Sequence, residues 1–191
     1  MQSTVLILLV GIAASTSAAA LTPKSTSYAF KLVAKEDAGS PFDGQEVTAS
    51  QNKLWLSQPM EKRDTDCGSG PVDKAPATLF LQDDELFLFG GEGKSHQQLA
   101  ANVSGKEHES LKYFNNTNDG PGQDFETKGW SLKPDNQDEY LSFNEAVMLA
   151  CPASDDSFTV GVYQDYDRGC FELKARVEYN YQPVSCKYSG N

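Results

Sequence analysis

Short runs of alternating apolar and polar residues recur along the chain, and polar turn residues separate them. The clearest example is ATLFLQDDELFLFGGEG (residues 77–93), in which two apolar runs flank the acidic triplet at 83–85. Alternation with a period of two is typical of β-strands, and the acidic triplet favours a tight turn. We therefore predict a β-hairpin that is covered on much of both faces and leaves its sheet at the glycine pair 90–91.

Further segments show the same short apolar runs bounded by turn residues. They are residues 27–35, 52–58, 129–143, 146–152, 158–164 and 171–179. Residues 129–143 predict a second hairpin, and no segment has the spacing of a convincing amphipathic helix. The pattern predicts an all-β fold, a single compact β-sandwich or β-barrel. Hairpin units that echo one another leave a β-trefoil-like barrel as an alternative.

Two segments have the composition of loops. Residues 91–128 contain both histidines and the run NNTNDGPGQD, and residues 67–77 (CGSGPVDKAPA) are rich in glycine and proline. We expect long loops in both segments. Because binding residues are concentrated on loops, a localised function is expected there.

The first 20 residues are typical of a secretory signal peptide. An apolar core, VLILLVGIAA (residues 5–14), precedes small residues that suit signal peptidase. This core is about half as long as the roughly 20 apolar residues that a membrane span requires. We predict a signal peptide at residues 1–20, followed by a single extracellular all-β domain at residues 21–191.

The composition fits one globular domain with an acidic surface. Of the 191 residues, 39% are hydrophobic, and 27 acidic against 16 basic residues give a net charge of −11. A chain of this size can bury a core, whereas the phosphates of nucleic acids and anionic membranes would repel its charge. We expect neither nucleic acid nor a membrane as a partner.

Four cysteines follow the predicted signal peptide, at Cys67, Cys151, Cys170 and Cys186. An even number in a secreted chain predicts two disulfides, and the wide spacings lack the C-x-x-C pairs of a zinc site. Four cysteines allow three pairings, which the sequence leaves open. We favour Cys170–Cys186, which would join the last predicted strand to its return.

Two N-x-[ST] motifs are candidate glycosylation sites, consistent with export. They are N-V-S beginning at Asn102 and N-N-T beginning at Asn115. A glycan is bulky and hydrophilic, so each asparagine should lie on an exposed loop if it is used.

The sequence offers little for catalysis. His96 and His108 are the only histidines, and both lie in polar sequence. The chain has no G-x-S-x-G elbow and no H-E-x-x-H helix. The stretch DYDRG (residues 165–169) lacks the ligand spacing of a calcium loop, so we expect a turn ahead of Cys170. We predict no catalytic, cofactor or metal site.

Aromatic residues leave a glycan-binding surface open, because sugar rings stack on tyrosine and tryptophan faces. Trp55 and Trp130 lie in alternating segments, where core packing is the expected fate of a large aromatic. The tail VEYNYQPVSCKYSGN (residues 177–191) is rich in tyrosine and is expected to be more exposed.

The order of several short blocks resembles the PhiA family of fungal secreted cell-wall proteins. The blocks are ATLFLQDDELFLFG, then GWSLKPDNQDEYLSF running on to VMLACPAS, then GCFELKARVEYNYQPVSCKYSGN. Their common order, from about Lys53 onward, carries the resemblance. It implies a small secreted protein of a filamentous ascomycete, associated with the cell wall and with the formation of phialides and conidia. Some relatives are allergens.

The resemblance implies no catalytic residues. We therefore expect a non-enzymatic, disulfide-stabilised protein of the fungal wall, with no cofactor, whose partners are wall polysaccharide or wall proteins. One alternative is a secreted carbohydrate-binding or carbohydrate-active protein that uses loop carboxylates and exposed aromatic residues. A second alternative is a secreted effector or inhibitor that binds a host protein.

Overall fold

The structure, a computed structural model, describes residues 29–35, 40–68, 75–104, 111–115, 120–162 and 169–190. Within these residues, thirteen β-strands join into one connected sheet, and the only helical element is a 3₁₀ turn at Met60–Lys62. The predicted all-β class is confirmed. The predicted signal peptide, residue His108 and most of the predicted turn at 165–169 lie outside the described residues.

All the strand pairings are antiparallel, and the strands are short. The alternating segments of the sequence account for nine of the thirteen. In chain order the strands are β1 (Phe30–Lys35), β2 (Thr48–Ser50), β3 (Lys53–Leu56), β4 (Leu79–Gln82), β5 (Glu85–Leu88), β6 (Gln97–Asn102), β7 (Leu111–Asn115), β8 (Phe125–Glu126), β9 (Trp130–Asp135), β10 (Asp138–Phe143), β11 (Met148–Pro152), β12 (Phe158–Val162) and β13 (Phe171–Tyr179).

The sheet curls into a half-barrel. Its strand order is β2-β3-β12-β11-β13-β1-β4-β5-β6-β7, with β9 joined through β10, and β8 joined to β6. The two ends of this path approach each other, because β3 contacts β7 and the Tyr113 N–H donates to the Asn52 carbonyl at 3.0 Å. Among the predicted architectures, the β-barrel agrees best with the described strands, which form one curled sheet.

Strand β13 is the longest and joins two parts of the sheet. Its residues 171–173 pair with β11, its residues 174–179 pair with β1, and Arg176 pairs with Tyr140 of β10. Along β13, Leu173, Ala175 and Val177 are buried while Glu172 and Lys174 are exposed. This is the period of two from which the strand was predicted.

One continuous hydrophobic core lies inside the sheet. Trp130 and Phe143 are both buried, with ring centroids 4.8 Å apart, which confirms the core position expected for Trp130. Trp55 is only half-buried, and its indole N–H donates to the Ser50 carbonyl at 2.9 Å. Burying a large apolar side chain stabilises the fold by about 1.5–3 kcal/mol, so this core is the main source of stability.

The predicted hairpin at 77–93 is confirmed. Strands β4 and β5 pair in register from Leu79–Leu88 to Gln82–Glu85. The two residues between them, Asp83 and Asp84, have φ of 52° and 65°. Positive φ at both central residues is type I′ geometry, whose twist matches that of the flanking strands.

The glycine pair at 90–91 lies where the chain leaves β5, as predicted. Gly91 has φ of 115°, and a Cβ at this position would overlap the Ser185 side chain. The Ser185 hydroxyl donates to the Gly90 carbonyl at 2.6 Å. The pair therefore serves both the turn and close packing on a distant segment.

The prediction of long loops at residues 91–128 is wrong, because β6, β7 and β8 lie in this segment. The strand signal is weak because β6 has one large apolar residue beside two alanines, and the five residues of β7 stand between two long polar runs. Pairing of β6 with β5 and β7 supplies the stabilisation that the local sequence lacks. The buried apolar residues of these strands are Leu99, Ala100, Ala101, Leu111 and Tyr113.

Two disulfides form, as predicted, but the favoured pairing is wrong. Cys67 bonds to Cys186, and Cys151 bonds to Cys170. Cys170 immediately precedes the nine-residue β13 and Cys186 follows it. Nine extended residues span about 30 Å, whereas a disulfide needs Cα atoms within about 7 Å, so β13 keeps Cys170 and Cys186 apart.

After β13, the closing segment (residues 180–190) packs back on the sheet. The backbones of Lys187 and Asp66 exchange two hydrogen bonds, at 2.7 and 2.9 Å. The Gln97 side chain bonds both the N–H and the carbonyl of Tyr188, each at 3.0 Å. Together with its disulfide, these contacts fix the segment to parts of the chain that are about 90 to 120 residues away.

Candidate functional site

The tyrosine cleft lies where β13 ends and the closing segment begins. Its volume is about 330 Å³, in the lower range of small-molecule pockets. Strands β1 and β13 and the segments preceding β2 and β4 all contribute to it. Its lining includes Lys31, Glu46, Thr78, Tyr179, Asn180 and Val184.

A charged pair forms one wall of the tyrosine cleft. The Lys31 ammonium donates to Glu46 at 2.5 Å and lies 3.1 Å from the carboxylate of Glu178. The bond to Glu46 raises the pKa of Lys31 above its usual range. Lys31 is therefore a cation at neutral pH, and this wall offers both donors and acceptors of hydrogen bonds.

Two tyrosines stand exposed at this end of the molecule. Tyr179 is 41% exposed, and its hydroxyl donates to Glu139 at 2.5 Å. Tyr181 is 82% exposed. The turn that presents Tyr181 is fixed on both sides, since the Gln182 N–H donates to the Asn180 side chain at 3.0 Å and the Asn180 N–H donates to the Ala29 carbonyl at 2.8 Å.

The expectation of an exposed tail is correct for only part of it. Tyr188 is buried, and its hydroxyl accepts a hydrogen bond from the Thr78 N–H at 3.0 Å. Burial raises the pKa of Tyr188 to about 12. Tyr188 is thus a core residue, whereas Tyr179 and Tyr181 present aromatic surface to solvent.

The lysine groove, lined by Lys35, Lys133 and Lys174 among others, is larger, at about 490 Å³. Its cationic groups are largely compensated. Lys35 binds Asp138 at 2.9 Å, and Lys133 binds Glu145 at 3.0 Å. An anionic ligand would have to compete with these carboxylates, so the groove is a weaker candidate than the tyrosine cleft.

A third cleft, the disulfide cleft, opens over the Cys67–Cys186 bond. Its volume is about 460 Å³, and its lining includes both cysteines together with Lys94, Ser95, Asn115 and Lys187. One candidate glycosylation residue and one disulfide, which are far apart in sequence, therefore share a cleft.

The two candidate glycosylation residues have different surroundings. Asn102 is the last residue of β6 and is 3% exposed, so it does not lie on the exposed loop that we expected. Its side-chain carbonyl accepts from the N–H and the hydroxyl of Ser104, at 2.9 and 2.7 Å. Asn115 ends β7 and is exposed. Glycosylation at either position stays a prediction.

His96 has a packing role in the fold. Its Nδ1 accepts a hydrogen bond from the Gly90 N–H at 3.1 Å, and its ring packs against Phe80 and Phe89. Burial lowers the pKa of the imidazole below its usual range, so the ring is neutral at pH 7. Across the described ranges, no group of three or more histidine, cysteine, aspartate or glutamate side chains is arranged to hold a metal ion.

Sequence reasoning identified the tyrosines but missed their neighbours. The cleft also contains residues from three separate segments, and no sequence pattern links those segments: Lys31, Glu46 and Thr78. They meet because β1 pairs with β13 and β4 and forms a bridge from Val33 to Glu46, a long-range arrangement with no local signal. Only a prediction of strand order could have brought them together.

These features define an all-β, disulfide-bonded protein with clefts on its surface. Residues 30–189 match the model of the PhiA-like secreted protein family, so the chain belongs to that family. Cell wall protein phiA of Emericella nidulans is 29% identical over 182 residues, covering 92% of this chain and 94% of that protein. No solved structure gives a significant match.

Family membership confirms the resemblance drawn from the ordered blocks and the predicted location outside the cell. Within the described ranges, no helix is both long enough and apolar enough to cross a membrane.

Proposed function

We propose that the protein is a non-catalytic component of the fungal cell wall that holds wall polysaccharide at the tyrosine cleft. Wall association is supported by family membership and by similarity to a cell wall protein over nearly its whole length. The observation that supports polysaccharide binding is that exposed tyrosines lie beside a small polar cleft.

The chemistry of the cleft suits a sugar ring, which has apolar C–H faces and hydroxyl edges. The faces of Tyr179 and Tyr181 supply amphipathic contact area. Lys31 and Glu46 supply a donor and an acceptor within 2.5 Å of each other, and both can bond neighbouring hydroxyls. The turn at Asn180 fixes the backbone on which Tyr181 stands, which reduces the entropy lost on binding.

Replacement of Tyr181 tests the site, because Tyr181 is 82% exposed and is two residues from Tyr179, which lines the cleft. Tyr181→Ala is expected to weaken binding to an insoluble wall polymer about tenfold, since truncating an aromatic anchor commonly costs more than 1 kcal/mol. The bound fraction of the purified, oxidised protein would be measured against β-glucan, chitin and washed fungal wall over a range of polymer concentrations.

Met60→Ala is the matched control, because Met60 is 58% exposed but lies in the 3₁₀ turn at Met60–Lys62 and not in the segment that carries Tyr179 and Tyr181. Equal loss of binding in both variants would contradict the assignment of the site. Absence of binding to all three polymers would contradict the proposal that the protein binds wall polysaccharide. Release of reducing ends from a polymer would instead identify a carbohydrate-active protein.

We also infer a part in building the wall of spore-bearing cells, which the family resemblance supports. A strain without the protein is expected to form fewer conidia while its hyphal growth continues. Normal conidium counts and normal wall composition in that strain would contradict this role and leave wall binding untouched.

A further inference from the structure

The disulfide cleft carries an inference that goes beyond the proposed function and requires only that the chain is secreted. We propose that Asn115 carries an N-linked glycan whose first N-acetylglucosamine lies in this cleft and covers the Cys67–Cys186 bond. Asn102, the other candidate, carries no glycan in the folded protein.

The position of Asn115 fits the attachment of a glycan. Asn115 is exposed at the end of β7 and lines the disulfide cleft. The sequence completes its acceptor motif with Asn116 and Thr117. In the secretory pathway, the side-chain nitrogen of Asn115 would bond to C1 of N-acetylglucosamine from a lipid-linked oligosaccharide diphosphate. The bond from that carbon to the diphosphate breaks, and the amide loses one proton.

One strand pairing and one side-chain contact connect Asn115 to the segment that carries Cys186. Asn115 is the register partner of Gln97 across β6 and β7. The Gln97 side chain bonds the backbone of Tyr188, two residues beyond Cys186. A group attached at Asn115 therefore starts beside the segment that carries one half of the disulfide.

The cleft has the size and chemistry for one sugar residue. Its volume of about 460 Å³ exceeds the roughly 300 Å³ at which small-molecule pockets begin. Lys94, Ser95 and Lys187 line it with hydrogen-bond donors, and Asp66 adds a carboxylate acceptor. Because Cys67 and Cys186 are nearly buried and line the same cleft, a sugar there covers their remaining access to solvent.

The surroundings of Asn102 leave no room for a glycan in the folded protein. Its side chain is almost fully buried and holds both polar groups of Ser104. It also pairs with Phe125 of β8. A bulky hydrophilic group at this position would have no room without separating β6 from β8.

The test compares two variants that each remove one acceptor motif but keep its asparagine. The full chain would be secreted from a eukaryotic host as wild type, Thr117→Ala and Ser104→Ala. The glycan shift on a gel is expected to disappear in Thr117→Ala and to persist in Ser104→Ala. Absence of a glycan from the wild type, or its loss in Ser104→Ala, would overturn the assignment.

The second measurement tests the position of the sugar. Each disulfide would be followed by thiol alkylation and mass spectrometry during reduction by a small thiol. Wild type is expected to lose the Cys67–Cys186 bond several-fold more slowly than Thr117→Ala, while the Cys151–Cys170 bond, the internal control, is reduced at the same rate in both. Trimming the wild-type glycan to one N-acetylglucosamine should leave the protection in place. Equal reduction rates at Cys67–Cys186, or protection lost on trimming, would overturn the placement in the cleft.

Discussion

His96 is a side chain whose type suggests chemistry and whose surroundings indicate a packing role. Its Nδ1 is occupied as an acceptor by the Gly90 N–H, and its ring packs against Phe80 and Phe89. Protonation would convert that acceptor into a donor facing another donor. The lowered pKa of His96, caused mainly by burial, is the expected consequence.

This arrangement predicts a pH dependence of stability. The folded-state pKa lies below the unfolded value of about 6.5, so the contribution of the neutral ring is complete above that value. It is lost as the pH falls through the folded pKa, because the unfolded state binds the proton more readily. Urea unfolding at pH 7.5, 6 and 5 should show that the free energy of unfolding falls more steeply with falling pH in wild type than in His96→Gln, because glutamine cannot ionise.

The comparison isolates the histidine, since the same carboxylates titrate in both proteins. Parallel curves for wild type and His96→Gln over this pH range would show that His96 does not contribute to acid sensitivity.

At the scale of the element, the β4–β5 hairpin depends on a turn with positive φ at two aspartates. The residues Asp83 and Asp84 have φ of 52° and 65°, and type I′ turns prefer glycine at the second of these positions. The Asp84 carbonyl also accepts from the N–H groups of Gly129 and Trp130, each at 3.1 Å, which ties the turn to the start of β9. These backbone contacts do not require the side chain of Asp84.

Asp84→Gly is therefore expected to raise the free energy of unfolding by about 1 kcal/mol, because glycine adopts this φ without strain. Denaturant unfolding would measure the change. Asp84→Asn is the control, since it removes the charge but keeps a side chain, and it should give a smaller gain. A lower stability for Asp84→Gly would show that the aspartate makes a contact on which the hairpin depends.

The same element shows what a sequence can and cannot predict. The hairpin and β13 were predicted because they alternate strongly over several residues. Strands β6 and β7 were not, because Leu99 is the one large apolar residue of β6 and the five residues of β7 lie between two polar runs. Their pairing partners stabilise them. The tyrosine cleft was only partly predicted, since Tyr179 belongs to the tyrosine-rich tail, whereas Lys31 and Glu46 reach the cleft through strand order.

At the scale of the whole molecule, the two disulfides close loops of very different length. Cys67 and Cys186 are 119 residues apart, whereas Cys151 and Cys170 are 19 apart. The longer crosslink holds the closing segment against Asp66 and Gln97, and the shorter one joins the adjacent strands β11 and β13, which also pair through their backbones.

Removal of the Cys67–Cys186 bond should therefore lower the free energy of unfolding more than removal of the Cys151–Cys170 bond. The chain-entropy relation gives about 5 kcal/mol for a loop of this length and about 3 kcal/mol for the shorter one. Denaturant unfolding of Cys67→Ala/Cys186→Ala and of Cys151→Ala/Cys170→Ala would measure both losses. A larger loss for the second variant would mean that local packing, and not loop closure, sets the contribution of these bonds.

The pairing of early with late segments also fixes the order in which the molecule can be completed during synthesis. Strand β1 finds its main partner only in β13, and Cys67 enters the secretory compartment 119 residues ahead of Cys186. During that interval Cys151 and Cys170 become available to the thiol of Cys67 before its native partner does, and any wrong bond formed then must be exchanged before the half-barrel is complete. We therefore expect the rate of export to follow the supply of thiol-exchange catalyst in the producing cell.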